Sequence, residues 1–287
     1  MSKVKKATTI DEQINLLKSR NLIISDENRA KKILSSINYY NFTGYLFTYK
    51  SNDGKYQNIT FDDAYRIYLC DKRIRSIILY VIEIIEHNLK TKISYNMAHM
   101  LGELSYTDAA NFTNAQEHGK LMNNFNQAVQ RNKKVLFVKH HLRKYKGSFP
   151  VWVAIELFTF GMVWNCFKYL QTPIRKKIAS DFGTGAVYLE SWIECVSYLR
   201  NMCAHYMRLY RLNIQKTPKQ SKLHGTFTAS NRVYDILYVM RFLMPSNDEW
   251  ANYIIPELSA IFTQYSDVVS PSDYGFPSDW ETIIGSI

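Results

Sequence analysis

The segment Ser197–Arg211 reads S-Y-L-R-N-M-C-A-H-Y-M-R-L-Y-R and predicts a single amphipathic helix carrying Arg200, Asn201 and His205, with Arg208 and Arg211 just beyond. An imidazole gains or loses a proton near neutral pH, and a guanidinium holds a phosphate through a planar fork of donors. Asn201 and His205 are four apart and share a helix face. Arg200 lies five residues before His205, about 140° around the axis, so it flanks that face. One helix cannot pinch a phosphate between the two. A second copy related by a two-fold axis would set two Arg–His pairs across one groove. There one imidazole takes the proton from a ribose 2′-OH while the other protonates the leaving 5′-oxygen. Arg200 balances the charge on the phosphorane, and Asn201 orients His205 or the phosphate. The products are a 2′,3′-cyclic phosphate and a 5′-hydroxyl, with no metal and no cofactor required.

The charge pattern points to a polyanionic partner. The chain has 287 residues, with 36 Lys and Arg against 25 Asp and Glu, a net charge of +11. The excess is segregated into two windows. No acid occurs between Glu117 and Glu156, where Lys120, Arg131, Lys133, Lys134, Lys139, His140, Arg143, Lys144 and Lys146 gather. No acid occurs between Glu194 and Asp235 either, where Arg200, Arg208, Arg211, Lys216, Lys219, Lys222 and Arg232 lie. In the first window Phe137, His140, His141 and Tyr145 interleave with the cations, a pattern that tracks an RNA backbone and offers stacking surfaces. The competing reading is a solubilising face.

The elements that must position these residues read as helices throughout. Thr9, with Glu12 three residues on, caps a helix through Ile10, Ile14 and Leu17; Ser25-Asp26 starts another through Ala30, Ile33, Leu34 and Ile37. Thr60 caps a long helix from Phe61 towards His99, striped by Ile74, Ile78, Ile85, Leu89 and Ile93, and Gly102 ends it or bends it. Residues 103–117 read as an exposed connection, and Leu121–Tyr145 as one basic helical region. Ser148 and Pro150 start a central apolar helix from Val151 to Leu170. After a break at 181–185, Leu189, Trp192, Ile193, Val196 and Leu199 lead into Arg200. Thr217–Gly225 is a basic loop, and a helix near Val233–Leu243 precedes short helices and irregular chain. No alternation sustains a sheet, so the fold class is all-α, a helical bundle. The chain divides into an N-terminal helical lobe (1–58), a helical core (59–216) and a C-terminal helical tail (217–287).

The remaining signals exclude more than they assign. Cys70, Cys166, Cys195 and Cys203 are scattered and fit free thiols in a reducing compartment. Cys203 and His205 point apart on a helix, and no second ligand pair has metal-binding spacing. No Walker loop and no dinucleotide fingerprint occurs. Met1 is followed by Ser-Lys-Val-Lys-Lys rather than an apolar leader, and Val151–Trp164 is too short to span a bilayer, which predicts a cytoplasmic protein without membrane contact. Trp152, Trp164 and Trp192 read as core. Glu83 and Glu86 can orient Arg200 across the bundle, with Glu86 as its support; Asp71–Arg75 and Glu86–Lys90 read as i, i+4 pairs on a solvated face.

The string R-N-x-x-x-H resembles the signature of HEPN-domain ribonucleases, an Arg followed four to six residues later by His, often with a polar residue after the Arg. From about Ile14 to Arg211 the chain is similar to abortive-infection proteins of the AbiD/AbiF type. That likeness is carried by Ile37-Asn38-Tyr39-Tyr40-Asn41-Phe42-Thr43-Gly44-Tyr45, by Asp71-Lys72-Arg73-Ile74-Arg75 with Glu83 and Glu86, and by Pro150-Val151-Trp152 with Glu156 and Phe160-Gly161. The resemblance implies a HEPN-like four-helix core, a prokaryotic defence role, toxicity through RNA cleavage and silencing by a small non-coding RNA; the homodimer is expected from the Arg–His geometry above. Relatives often carry a second His after the motif His and a Trp-Asn beyond; here Tyr206, Tyr210 and Arg211 stand in that stretch. Related toxins controlled by tyrosine modification carry Tyr two residues after the His, where this chain has Met207. The alternative function is an RNA-binding helical protein that holds a structured RNA without cutting it; a purely structural helical scaffold is a third, which leaves the charge segregation unexplained.

Overall fold

A computed structural model describes residues 6–285, and the basic start of the chain at Met1 lies outside them. The architecture is all-α: among the described residues there are thirteen α-helices and no strand. In order they are α1 (Ile10–Ser19), α2 (Glu27–Ser36), α3 (Tyr39–Gly44), α4 (Phe61–Leu101), α5 (Ala115–Arg131), α6 (Leu136–Lys144) and α7 (Val151–Ala154). Then come α8 (Phe160–Tyr169), α9 (Thr172–Ser180), α10 (Ala186–Ala204), α11 (Val233–Met240), α12 (Ile255–Gln264) and α13 (Trp280–Gly285). No helix among the described residues is long and apolar enough to cross a membrane.

The 41-residue α4 is the spine. Its start is fixed by a capping box, in which Thr60 Oγ1 accepts from Asp63 N–H while the Asp63 carboxylate accepts from Thr60 N–H. Its end is fixed by Gly102, whose φ of +95° suits glycine. Helix α10 runs antiparallel beside it. The turn before α10 meets the C-terminal half of α4, since Asp181 takes hydrogen bonds from Lys92 and Asn96. Beyond its other end, Leu209 and Tyr210 reach Asp71. Helix α8 packs on α4, α5 and α10, so α4, α5, α8 and α10 form a packed group of four. Buried residues from Ile14 to Ile284 join one hydrophobic cluster, the tail included.

Three expected elements differ. The apolar run 151–170 is two helices, because Phe158 is extended and Thr159 Oγ1 accepts from Met162 N–H, a cap that competes with helix continuation. Within the short α7, Val151 and Ala154 face inward and Trp152 faces solvent, so that tryptophan is surface; Trp192 is core, and Trp164 is half-buried. The basic region 121–145 breaks at Asn132, whose side chain returns to the Ala128 carbonyl, and Val135 is extended. Residues 103–117 are not a loose connection. Tyr106 is buried with its hydroxyl on the Phe149 carbonyl at 3.0 Å, Phe112 is buried, and Asn114 caps α5.

All four cysteines are free and buried, and burial pushes each thiol up to about 12. The thiolate is the reactive form, so native protein is expected to show no fast-reacting thiol towards a disulfide reagent at pH 8, and four after denaturation. Rapid modification of any thiol in the folded state would contradict this packing.

Candidate functional site

The site is built around a carboxylate rather than around the histidine. Asp71 lies on the same stripe of α4 as Ile67, Ile74 and Ile78 and is completely buried. Its oxygens accept from Tyr45 Oη at 2.7 Å, Tyr274 Oη at 3.0 Å, Tyr210 N at 3.0 Å and Leu209 N at 3.2 Å. Arg75, one turn on and also buried, completes the shell as an ion pair and donates to the Met207 carbonyl at 3.3 Å. This overturns the reading of Asp71–Arg75 as a solvated pair. Burial pushes the Asp71 carboxyl up, against the pull of Arg75 and of the bonds from Tyr45, Leu209 and Tyr274. Burial, with the neighbouring Asp71 charge, also pushes the hydroxyls of Tyr45 and Tyr274 well above the usual range, so they stay protonated and donate. Every group in the shell is a donor, which fits the lone pairs of a carboxylate.

That shell fixes the chain leaving α10. The helix ends at Ala204, so His205 is its C-cap rather than a helical residue. Tyr206 N–H bonds Cys203 O at 3.2 Å and Met207 N–H bonds Met202 O at 2.9 Å, the Schellman pattern. The residue this turn places in the left-handed region is Tyr206, at φ +57°, where glycine is usual. Strain of this kind, about 1–3 kcal/mol, persists only where surroundings over-determine it. Asp71 does so by catching the amides of Leu209 and Tyr210 a few residues on.

His205 and Tyr206 are thereby displayed at the lip of a cleft of about 480 Å³. Its other wall is 36–45, with Asn38, Tyr40, Asn41 and Tyr45, and Tyr68 of α4 lies within. Arg208 ties the walls together by donating to the Gly44 carbonyl at 2.7 Å, and burial lowers its pKa. Arg200 is exposed but opens elsewhere. It lines a groove of about 330 Å³ with Glu83, Glu86, His87 and Lys90 of α4. Its guanidinium donates to the side-chain oxygen Oδ1 of Asn201, at 3.4 Å, and no ion pair to Glu83 or Glu86 is present among the described residues. Glu86 instead pairs with Lys90 at 2.9 Å, and Lys90 is buried rather than solvated. Within one chain, then, the guanidinium and the imidazole face different grooves.

The basic residues separate in the same way. Lys133, Lys134, Lys139, His140, Arg143, Lys144 and Lys146 are exposed on α6 and its flanking turns. Helix α6 docks through Val138 and through His141 stacked on Phe149, which is held by Tyr106 near the C-terminal end of α4. Along α4 the rise from Arg75 to Glu103 is about 40 Å, so the contact that docks α6 lies towards the opposite end of that helix from the one that holds the His205 turn. In the second window Arg211 pairs with Asp273 at 2.6 Å and lies over Tyr49 and Tyr210, while Lys216 pairs with Glu194. Lys219 and Lys222 project from the 217–225 loop with exposed side chains. No group of three metal-ligating side chains occurs among the described residues.

The sequence reading missed the buried hub. A signal was present, because Asp71 falls four residues after Ile67 and three before Ile74, on the apolar stripe itself. Replacing Asp71 with Asn puts an amide among donors and leaves Arg75 buried without its partner. The substitution is expected to cost about 3–5 kcal/mol by denaturant unfolding, against less than about 1 kcal/mol for the exposed Asn201→Ala. A loss below 1 kcal/mol for Asp71→Asn would contradict the hub.

Compared with known proteins, residues 32–211 match the family model described as Abi-like protein. No curated protein and no solved structure gives a match. The matched span runs from α2 through Arg211, takes in both Asp71 and His205, and covers more than half of the sequence. The chain belongs to the Abi-like protein family.

Proposed function

We propose that this protein acts in abortive infection, the phage-defence role that its family membership supports, by cutting RNA without a metal. The observation that carries the reading is His205 at the lip of a cleft whose lining contains no Asp or Glu, on a turn anchored by a buried carboxylate. An imidazole so placed exchanges protons with a bound ribose, and no carboxylate in the lining repels the phosphate. Arg200 and Asn201 belong to this reading through a second copy of the chain. Because Arg200 opens onto another groove, a two-fold partner is what would bring a guanidinium to the imidazole. The packed group of α4, α5, α8 and α10, all inside 59–216, supports a HEPN-like core flanked by the 1–58 lobe and the 217–287 tail. Silencing by a small structured RNA draws support from the α6 cluster, which offers a cationic face far from the His205 turn.

The same separation favours a second reading, in which the α6 face binds a structured RNA and nothing is cut. The two diverge on incubation with total RNA in EDTA from pH 5.5 to 8.5. The nuclease reading expects cleavage that falls roughly 10²–10⁴-fold in His205→Ala and Arg200→Ala, with folding intact. Intact RNA at every pH, with salt-dependent binding weakened by Arg143→Ala and Lys144→Ala, would leave the binding reading alone.

A further inference from the structure

We propose that the cleft between 36–45 and the His205 turn is a nucleotide pocket, taking one unpaired base of a single-stranded RNA. The inference deepens the proposed function and rests on the chain acting on RNA, not on its cutting RNA. Three observations carry it. The cleft, at about 480 Å³, has the size of a small-molecule site and holds no acidic residue. Its lip bears two aromatic rings with no packing role of their own: Tyr40 is 83% exposed and Tyr206 is 76% exposed. Exposed rings flanking a cavity supply what a base face needs, and every base has such a face. Finally, two amides stand in the wall. Asn38 spends its carbonyl oxygen on Tyr40 N–H at 2.9 Å, which leaves its amino group to donate, while Asn41 is exposed with both functions free to meet a base edge. A base seated there brings its own sugar and phosphate to His205, at the same lip. A base already paired in a duplex cannot enter without being splayed out, so the pocket selects unpaired RNA.

The test uses the full chain carrying His205→Ala, so that binding is read without cleavage, and fluorescence anisotropy of a short labelled RNA, single-stranded or annealed to its complement. The single strand is expected to bind at least tenfold more tightly than the duplex. Tyr40→Ala is expected to weaken it roughly 10- to 100-fold, and Asn41→Ala roughly threefold to tenfold. Phe47→Ala removes another exposed ring, one outside the cleft, and is expected to change nothing. Both Tyr40 and Asn41 are exposed, so their truncation leaves the core intact. Equal affinity for the two RNAs, no binding of the single strand, or binding indifferent to Tyr40 and Asn41 overturns the pocket. Failures of the two ideas are separable: Tyr40-dependent binding by a protein whose parent cuts no RNA sinks the nuclease and keeps the pocket, whereas cutting indifferent to Tyr40 and Asn41 keeps the nuclease and sinks the pocket.

Discussion

A single buried carboxylate holds together parts of this chain that sequence distance keeps far apart. Asp71 gathers Tyr45 from just beyond α3, Arg75 from its own helix, the amides of Leu209 and Tyr210 beyond α10, and Tyr274 from the tail. Together the donors satisfy the buried carboxylate, and without Asp71 the amides of Leu209 and Tyr210 would lose the acceptor they share. The arrangement is therefore mutual. The tail adds a second clasp to the same segment, with Asp273 bound to the Arg211 guanidinium and its carbonyl accepting from Arg211 N–H at 3.0 Å. Gly275, at φ +88°, closes that turn where a Cβ would fall 2.8 Å from Arg232 Cβ.

The consequence is a fixed backbone at His205. Among the described residues His205 makes no side-chain hydrogen bond, ion pair or ring contact. Its backbone is fixed from both sides, by the last turn of α10 and by the amides caught on Asp71. The residue that absorbs the strain is Tyr206, and the same strained conformation sets its ring out over the cleft. Helix α10 meanwhile turns Arg200 towards α4 and away from that cleft. A symmetric pair of chains is thus a geometric requirement of the proposed chemistry, one that the spacing of the two residues already implied.

The sequence disclosed the fold where periodicity and caps were strong. Thr9 with Glu12, Asp26, and Thr60 all cap helices as their spacing predicts, and the stripe from Ile74 to Ile93 is the buried face of α4. It misled where composition was uniform. Nothing in the apolar run from Val151 to Leu170 distinguishes one helix from two; the break depends on a side chain, Thr159, satisfying a backbone amide. The motif residues were visible by type, but their surroundings were not. Local spacing put Arg75 and Lys90 on i, i+4 pairs, and only tertiary packing decides that Arg75 is buried with its partner while Lys90 is buried beside a half-buried Glu86. Nor does a one-dimensional charge count reveal that Arg211 and Lys216 are engaged by Asp273 and Glu194, or that the 217–225 loop is held on Ser191 and Trp192.

The claim that joins the buried hub to function is that the imidazole it presents transfers protons at a ribose. The direct measurement is mass spectrometry of the ends produced from a defined single-stranded oligoribonucleotide by purified protein in EDTA. The account predicts a 2′,3′-cyclic phosphate on one fragment and a 5′-hydroxyl on the other, both absent with His205→Ala. Fragments ending in 3′-hydroxyl and 5′-phosphate, or identical products from His205→Ala, would contradict it.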